Sequence, residues 1–431
     1  MALLKSTGNK KVNLDFNKEF INTFSEKIEA GNIEFVNQTL KDLHEADVAN
    51  LIENLNPSSR IKLIELEEFN INPEIFVELN ESIQSEVLQL LSTDSIIKII
   101  KRLESDNAIK IIENLEKDTK EKVLDKLPPK DKFLLEEGLS YPEDSAARIM
   151  QREFTAVPSD WTVGQTIDYL REDKDLPEEF LEIFIVDNDF KPIGTVPSSR
   201  VLRTSRDLKM NSIMIEMPVL ISANMDQEEV GHTFENYNLV SAGVVNKNNK
   251  LVGMITADDV VTVVQEEAEE DVLRLAGVGD EEITDSVMLK TKRRFNWLLL
   301  NLFTALLATW VISNFGASIE QMVALAFLMP IVASMGGNAG MQTLAVTIRA
   351  IATKELSKSN FNRVVGKEFL IGILNGIIFA IITAIIVQLW FKVVNLSLLI
   401  GVSMILNMIV AGLFGILVPV SLKKLNIDPA L

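Results

Sequence analysis

Cysteine is absent from this 431-residue chain, and histidine occurs only twice, at His44 and His232. The first absence excludes disulfides, thiolate metal sites and cysteine nucleophiles. The second leaves no histidine cluster for zinc or for a catalytic triad. No P-loop and no nucleophile–base pattern occurs, so the chain is expected not to be an enzyme. Basic charge is outweighed: the formal net charge is −19, which argues against nucleic acid as a partner. Residues 1–20 hold no apolar run of the length a signal peptide needs, so the front of the chain is expected to stay in the cytoplasm.

What is present is divided unevenly. From Lys292 to Leu431, 11 basic and 4 acidic residues leave +7, whereas Met1 to Thr291 hold 31 and 57, leaving −26. An acidic soluble portion joined to an apolar, slightly basic one reads as a membrane protein with a large cytoplasmic part. Residues 1–140 read as a helical domain. Apolar positions recur at three- and four-residue spacing, as at Val48, Leu51, Ile52 and Leu55. Asn56-Pro57, Asn72-Pro73 and Pro128-Pro129 punctuate the run. The units LIENL (51–55) and IIENL (111–115) suggest a helical-repeat stack, an irregular bundle being the alternative.

After Tyr141-Pro142 the pattern changes. EIFIVD (182–187) and SAGVVN (241–246) are strand-like, and each precedes a polar turn and a glycine, Gly194 or Gly253. This is an α/β module used twice, over 141–205 and 206–265. The second copy contains GMITADD (253–259), in which Thr256 and Asp259 offer a hydroxyl and a carboxylate beside a glycine. They suit a diol, and equally a helix start. A connecting helix and linker over 256–291 follows, with Glu266, Glu267, Glu269, Glu270 and Asp271 in its acidic part.

Four apolar segments, at about 295–315, 321–348, 367–391 and 396–422, are each long enough to cross a bilayer as helices. Lysines and arginines cluster before the first, after the second and after the fourth. That places both the N-terminal domains and the chain end inside. No acidic residue is expected within the span interiors. Pro330 and GGNAGMQT (336–343) interrupt the second segment. Backbone and amide oxygens in such a stretch suit an ion path. Gly372 and Gly376, on either side of Asn375, suit close helix packing instead.

A helical acidic domain, two paired modules, an acidic connecting helix and PIVASMGGNAGMQ (330–342), together with PEDSAARIM (142–150), resemble the MgtE family of magnesium channels, whose paired modules are CBS domains. The resemblance implies a multidomain fold: an all-α N-domain, an α/β tandem CBS pair, the connecting helix and an α-helical transmembrane domain. It implies a homodimer in the lipid of the inner membrane, passing Mg2+ passively and closed by cytoplasmic Mg2+. The implied metal residues are Asp94, Glu228, Asp259, Glu267, Glu270, Asp271 and Asp428. The implied path runs beside Pro330, Gly336, Gly337, Asn338, Gly340 and Gln342. ATP or another adenosine nucleotide is implied at Thr256 and Asp259. Asn238, Thr262 and Met341 stand where the family commonly has other residues. The family has five membrane helices, the fifth bearing an Asp at the pore, and this chain reaches Leu431 where that helix is expected to begin. A non-conducting CBS-containing membrane sensor or regulatory subunit is the alternative.

Overall fold

The computed structural model describes residues 16–67, 72–174, 176–177, 180–217, 219–278, 287–357, 359–425 and 427. The chain divides into two compact units, one ending at Gln265 and one beginning at Glu266. Each is described by itself.

Between Lys18 and Leu139 the described residues form α1 (Lys18–Glu29), α2 (Ile33–Lys41), α3 (Glu45–Asn54), α4 (Pro57–Glu67), α5 (Glu74–Glu78), α6 (Glu81–Leu90), α7 (Thr93–Ile100), α8 (Ser105–Glu113), α9 (Lys117–Lys126) and α10 (Pro129–Leu139). The starts follow from side-chain chemistry. Asn17, Asn32, Asn80 and Ser92 each accept a hydrogen bond from a backbone N–H in the first turn of the helix that follows. Pro57 and Pro129 occupy the first helical position, where a missing N–H costs nothing. The repeated LIENL and IIENL units close α3 and α8, and their last leucines, Leu55 and Leu115, are buried. Packing pairs elements two apart: α3 on α5, α4 on α6, α7 on α9, α8 on α10. One apolar core runs through the domain from Phe24 to Leu135. The short, regularly repeated packing is that of a helical stack.

The two α/β modules have matched sheets. The first orders β1 (Ala156–Pro158), β2 (Glu182–Val186), β3 (Pro192–Pro197) and β4 (Ile215–Glu216), with α11 (Val163–Glu172), α12 (Ser198–Arg203) and α13 (Met210–Ile213). The second orders β5 (Ile221–Ser222), β6 (Ser241–Val245) and β7 (Leu251–Thr256), with α14 (Gln227–Tyr237) and α15 (Ala257–Leu275). In each, the first pair is parallel and the second antiparallel. Gly194 faces Ile185 and Gly253 faces Val244, both pairs next to a register shift. The repeat expected from the sequence is therefore a repeat of register as well.

The two modules share a core: Ala146, Ala147 and Met150, at the start of the expected first module, are buried in the core of the second, with Val230, Phe234 and Ile255. Ala146 N–H donates to the Met225 carbonyl at 2.7 Å, and Gln151 exchanges two backbone hydrogen bonds with Met254. A methyl group at Gly253 would stand 2.7 Å from Met150 Sδ and 2.8 Å from the Gln151 carbonyl oxygen. That glycine thus admits the 145–151 strap.

The second unit holds α16 (Val287–Ser313), α17 (Gly316–Gln321), α18 (Ala324–Ala352), α19 (Phe361–Phe391) and α20 (Val394–Lys424). Four of these are long and apolar enough to cross a membrane. Helix α20 packs against both α18 and α19. Gly372 and Gly376 make this possible: a methyl on Gly376 would lie 2.9 Å from the Ile405 Cα, and one on Gly372 3.1 Å from the Met408 carbonyl oxygen. Helix α16 buries none of its residues within the chain. Helix α19 starts at Phe361, six residues before the expected span at 367, so Glu368 lies two turns inside the helix, close to Arg363 and Lys367 in sequence.

Candidate functional site

Helix α15 begins at Ala257, and its first turn carries Asp258 and Asp259. The Asp259 carboxylate accepts from the Thr256 hydroxyl at 2.6 Å and from its backbone N–H. The helix-start reading of this pair is thus realised in the geometry. The same carboxylate is turned toward the helical domain. Gln151 Nε2 donates to Asp259 Oδ2 at 3.3 Å and to Glu104 Oε2 at 2.8 Å. One amide therefore ties a CBS carboxylate to a carboxylate at the start of α8.

Around this tie lies a junction of like charges. Glu104 precedes α8, and Ser105 and Asp106 open it. Ser105 N–H and Oγ both donate to Glu153 Oε2, at 3.2 and 2.8 Å. Arg152 N–H donates to Ser105 Oγ at 2.8 Å. Asp106 is buried, and its Oδ1 accepts no hydrogen bond. Burial pushes the Glu104 carboxyl up to about 7, helped by the charges of Asp259 and Glu153. Burial also pushes Asp106 well above the usual carboxylate range, and Asp259 upward, against the pull of the Thr256 hydrogen bonds. A buried carboxylate oxygen without a donor is costly. It fits a site for a cation. Among the described residues no three acidic or histidine side chains form a ready metal cage. The arrangement suits a hard cation that keeps much of its own water.

Two arginines hold the junction together. Arg148 ion-pairs with Glu113 and donates to the Leu139 and Tyr141 carbonyls. Arg152 pairs with Glu137 at 2.6 Å. Glu104, Asp106, Glu153, Arg148 and Arg152 are absent from the residues expected from the sequence. PEDSAARIM and the residues just after it hold part of the signal, but nothing in one sequence reveals that this strap meets α8.

The other expected metal residues are dispersed. Asp94 on α7 is exposed and paired with Lys126 at 3.0 Å. Glu228 lies in the first turn of α14, where a carboxylate is favoured by the exposed N–H groups of the helix end. On α15, Glu267, Glu270 and Asp271 are half-buried, whereas Glu266 and Glu269 are exposed. Arg274 pairs with Glu270 and neutralises part of the acidic stretch. Burial raises the Asp271 carboxyl. Asp428 lies outside the described residues. Of the substituted positions, Asn238 is the left-handed C-cap of α14, with φ of 49°, a conformation that asparagine tolerates well.

The expected pathway residues separate into two sets. Gly336 is buried against the side chain of Asn407, whose Nδ2 donates to the Val332 carbonyl at 2.6 Å. Gly340 lies against Ala411 and Gly415 of α20. These two glycines seat α18 on α20. Pro330, Gly337, Asn338 and Gln342 are exposed along α18.

Comparison with known proteins adds the family. A divalent cation transporter family, MgtE, matches residues 329–431; the MgtE intracellular N domain matches 43–144; CBS domains match 146–207 and 210–266. The magnesium transporter MgtE of Bacillus subtilis (strain 168) is 32% identical over 294 residues, 68% of this chain and 65% of that protein. The magnesium transporter MgtE of Thermus thermophilus is 30% identical over 308 residues, 71% of this chain and 68% of that protein. The chain thus spans about two thirds of the length of these relatives. Two solved structures share the fold of the soluble part. The soluble part of a magnesium transporter has a TM-score of 0.50 at 21% identity, covering 58% of this chain and 99% of that one. The cytosolic domain of the Mg2+ channel MgtE in complex with ATP has a TM-score of 0.52 at 24% identity, covering 56% and 99%. With its helical N domain, CBS pair and apolar helices in the family's order, the chain belongs to the MgtE family of divalent cation transporters.

Proposed function

We propose that this protein passes Mg2+ down its gradient across the inner membrane, and that cytoplasmic Mg2+ closes it. The observation that carries the reading is the junction at Gln151. Carboxylates of the helical domain and of the CBS pair face one another there, and a buried Asp106 oxygen has no donor. A bound divalent cation supplies the positive charge that these carboxylates lack, through direct and water-mediated contacts. Glu104, Asp106, Glu153 and Asp259 hold the two domains together when their charge is balanced and separate them when it is not. Glu267, Glu270 and Asp271 on the half-buried face of α15 take part in the same Mg2+ response. Asp94, Glu228 and Asp428 remain proposed metal contacts at their own positions. In the apolar unit, Pro330, Gly337, Asn338 and Gln342 border the cation path, and Gly336 and Gly340 keep its wall in place.

The same reading has the N-terminal domains in the cytoplasm and two copies meeting in lipid, with α16 free to face either lipid or its counterpart. ATP or another adenosine nucleotide binds the CBS pair near Thr256, as supported by the ATP complex of a similar cytosolic domain. The test is Mg2+ uptake in cells stripped of their own importers. Growth at low Mg2+ supports transport, and failure to rescue by the well-expressed, membrane-inserted full-length protein contradicts it.

A further inference from the structure

A cavity of about 190 Å³ lies between α18, α19 and α20, outside the junction described above. Its polar lining comprises Glu368 and Asn375 of α19 and Gln342 and Thr343 of α18. Thr343 Oγ1 donates to Glu368 Oε2 at 3.2 Å. Among the described residues, the Gln342 and Asn375 amides have no side-chain hydrogen bond. Free amides and a carboxylate on apolar membrane helices are expensive unless they meet water or an ion. The remaining wall is apolar, from Ala339, Val346, Ile371 and Met408, with Gly372 and Gly412 where α19 and α20 approach closely. Asn375 stands seven residues beyond Glu368, roughly 10 Å along the helix, so oxygens line the cavity along its depth. One carboxylate, one hydroxyl and two amide oxygens form a hard donor set of low charge. The volume admits several waters at ~30 Å³ each. Thiolate or imidazole donors, which select softer metals, are absent from the lining.

We propose that this cavity is a binding site for a hydrated divalent cation at the cytoplasmic end of the membrane unit, with Glu368 as its charge and Thr343, Gln342 and Asn375 as contacts to the ion's water shell. The side follows from the charge of the adjoining connection. Arg349, Lys354, Arg363 and Lys367 flank it, and such residues stay inside. A single carboxylate binds a hydrated ion loosely enough to release it, as a conduction site requires. The proposal rests on the transport reading for its biological use, but the site can be tested without flux.

Because the chain has no cysteine, Leu370→Cys gives a unique position for a nitroxide label. Leu370 is exposed on α19, two residues from Glu368. In the full-length protein in lipid nanodiscs, Mn2+ is expected to broaden the label's spectrum. Excess Mg2+ reverses the broadening, and K+ does not. Glu368→Gln raises the half-broadening Mn2+ concentration at least tenfold. Thr343→Val raises it severalfold, and Glu368→Asp largely preserves it. Equal Mn2+ dependence in the parent and in Glu368→Gln overturns the site, as does no broadening at all. Broadening that depends on Glu368 without Mg2+ uptake supports the site and contradicts transport. Uptake with Glu368-independent broadening does the reverse.

Discussion

At the scale of single residues, the decisive feature is a carboxylate whose protonation opposes or permits docking. Glu104 is raised from 4.5 to about 7, chiefly by burial and then by Asp259 and Glu153. A carboxyl that binds protons more tightly in the docked form stabilises docking when protonated. That contribution is complete below its free value and fades as pH rises through about 7. Without divalent cations, lowering the pH from 8 to 6 is therefore expected to raise protection from hydrogen exchange in α8 and in residues 151–153, measured relative to the intrinsic exchange rate at each pH. Glu104→Gln should remove most of that dependence; an unchanged profile would place the titrating group elsewhere. Arg148 makes the complementary case. Its side chain is 10% exposed and holds Glu113 and two backbone carbonyls. Arg148→Ala frees the Leu139 and Tyr141 carbonyls and removes the pair with Glu113, so the first unit should lose about 1–3 kcal/mol. Denaturant unfolding followed by far-ultraviolet circular dichroism measures this. None of these roles is legible from residue type alone. An isolated Glu followed by Ser-Asp reads as a helix start, which it is, and only the approach of the 145–151 strap gives it a second use.

At the scale of elements, the sequence is far more informative. Proline and asparagine mark the helix starts because capping is local chemistry, and the paired strand runs mark the two CBS sheets because alternation and glycine turns are local as well. The Gly372–Gly376 spacing foretells the α19–α20 crossing. Gly376→Leu is expected to force the helices apart at a cost of about 1–3 kcal/mol, visible as a lower temperature of aggregation in detergent. A variant as stable as the parent would refute the crossing. Less is legible where distant segments meet: Asn375 lines a cavity with Glu368, and Gly336 and Gly340 pack against α20. On α15, the half-buried face also carries Arg274, which pairs with Glu270. The combined change Glu267→Ala, Glu270→Ala and Asp271→Ala should still weaken closure by internal Mg2+, giving more flux at high internal Mg2+ than the parent. Identical Mg2+ dependence of flux would remove this helix from the sensor.

At the scale of the whole molecule, the −26 carried before Lys292 acquires a location. A part of that charge is gathered where two domains of one unit face each other, rather than spread for solubility. Like charges gathered in this way favour separation unless a cation intervenes, and on the proposed reading the junction acts as a two-state element biased by an ion. The most direct test is a Mg2+ titration of the full-length protein, following hydrogen exchange in α8 and in residues 151–153 at pH 7.5. The parent is expected to become protected as Mg2+ rises, whereas the combined change Glu104→Gln, Asp106→Asn and Asp259→Asn should be protected already without Mg2+ and should no longer respond to it. If the triple variant shows the same Mg2+-dependent protection as the parent, the junction is not the sensor.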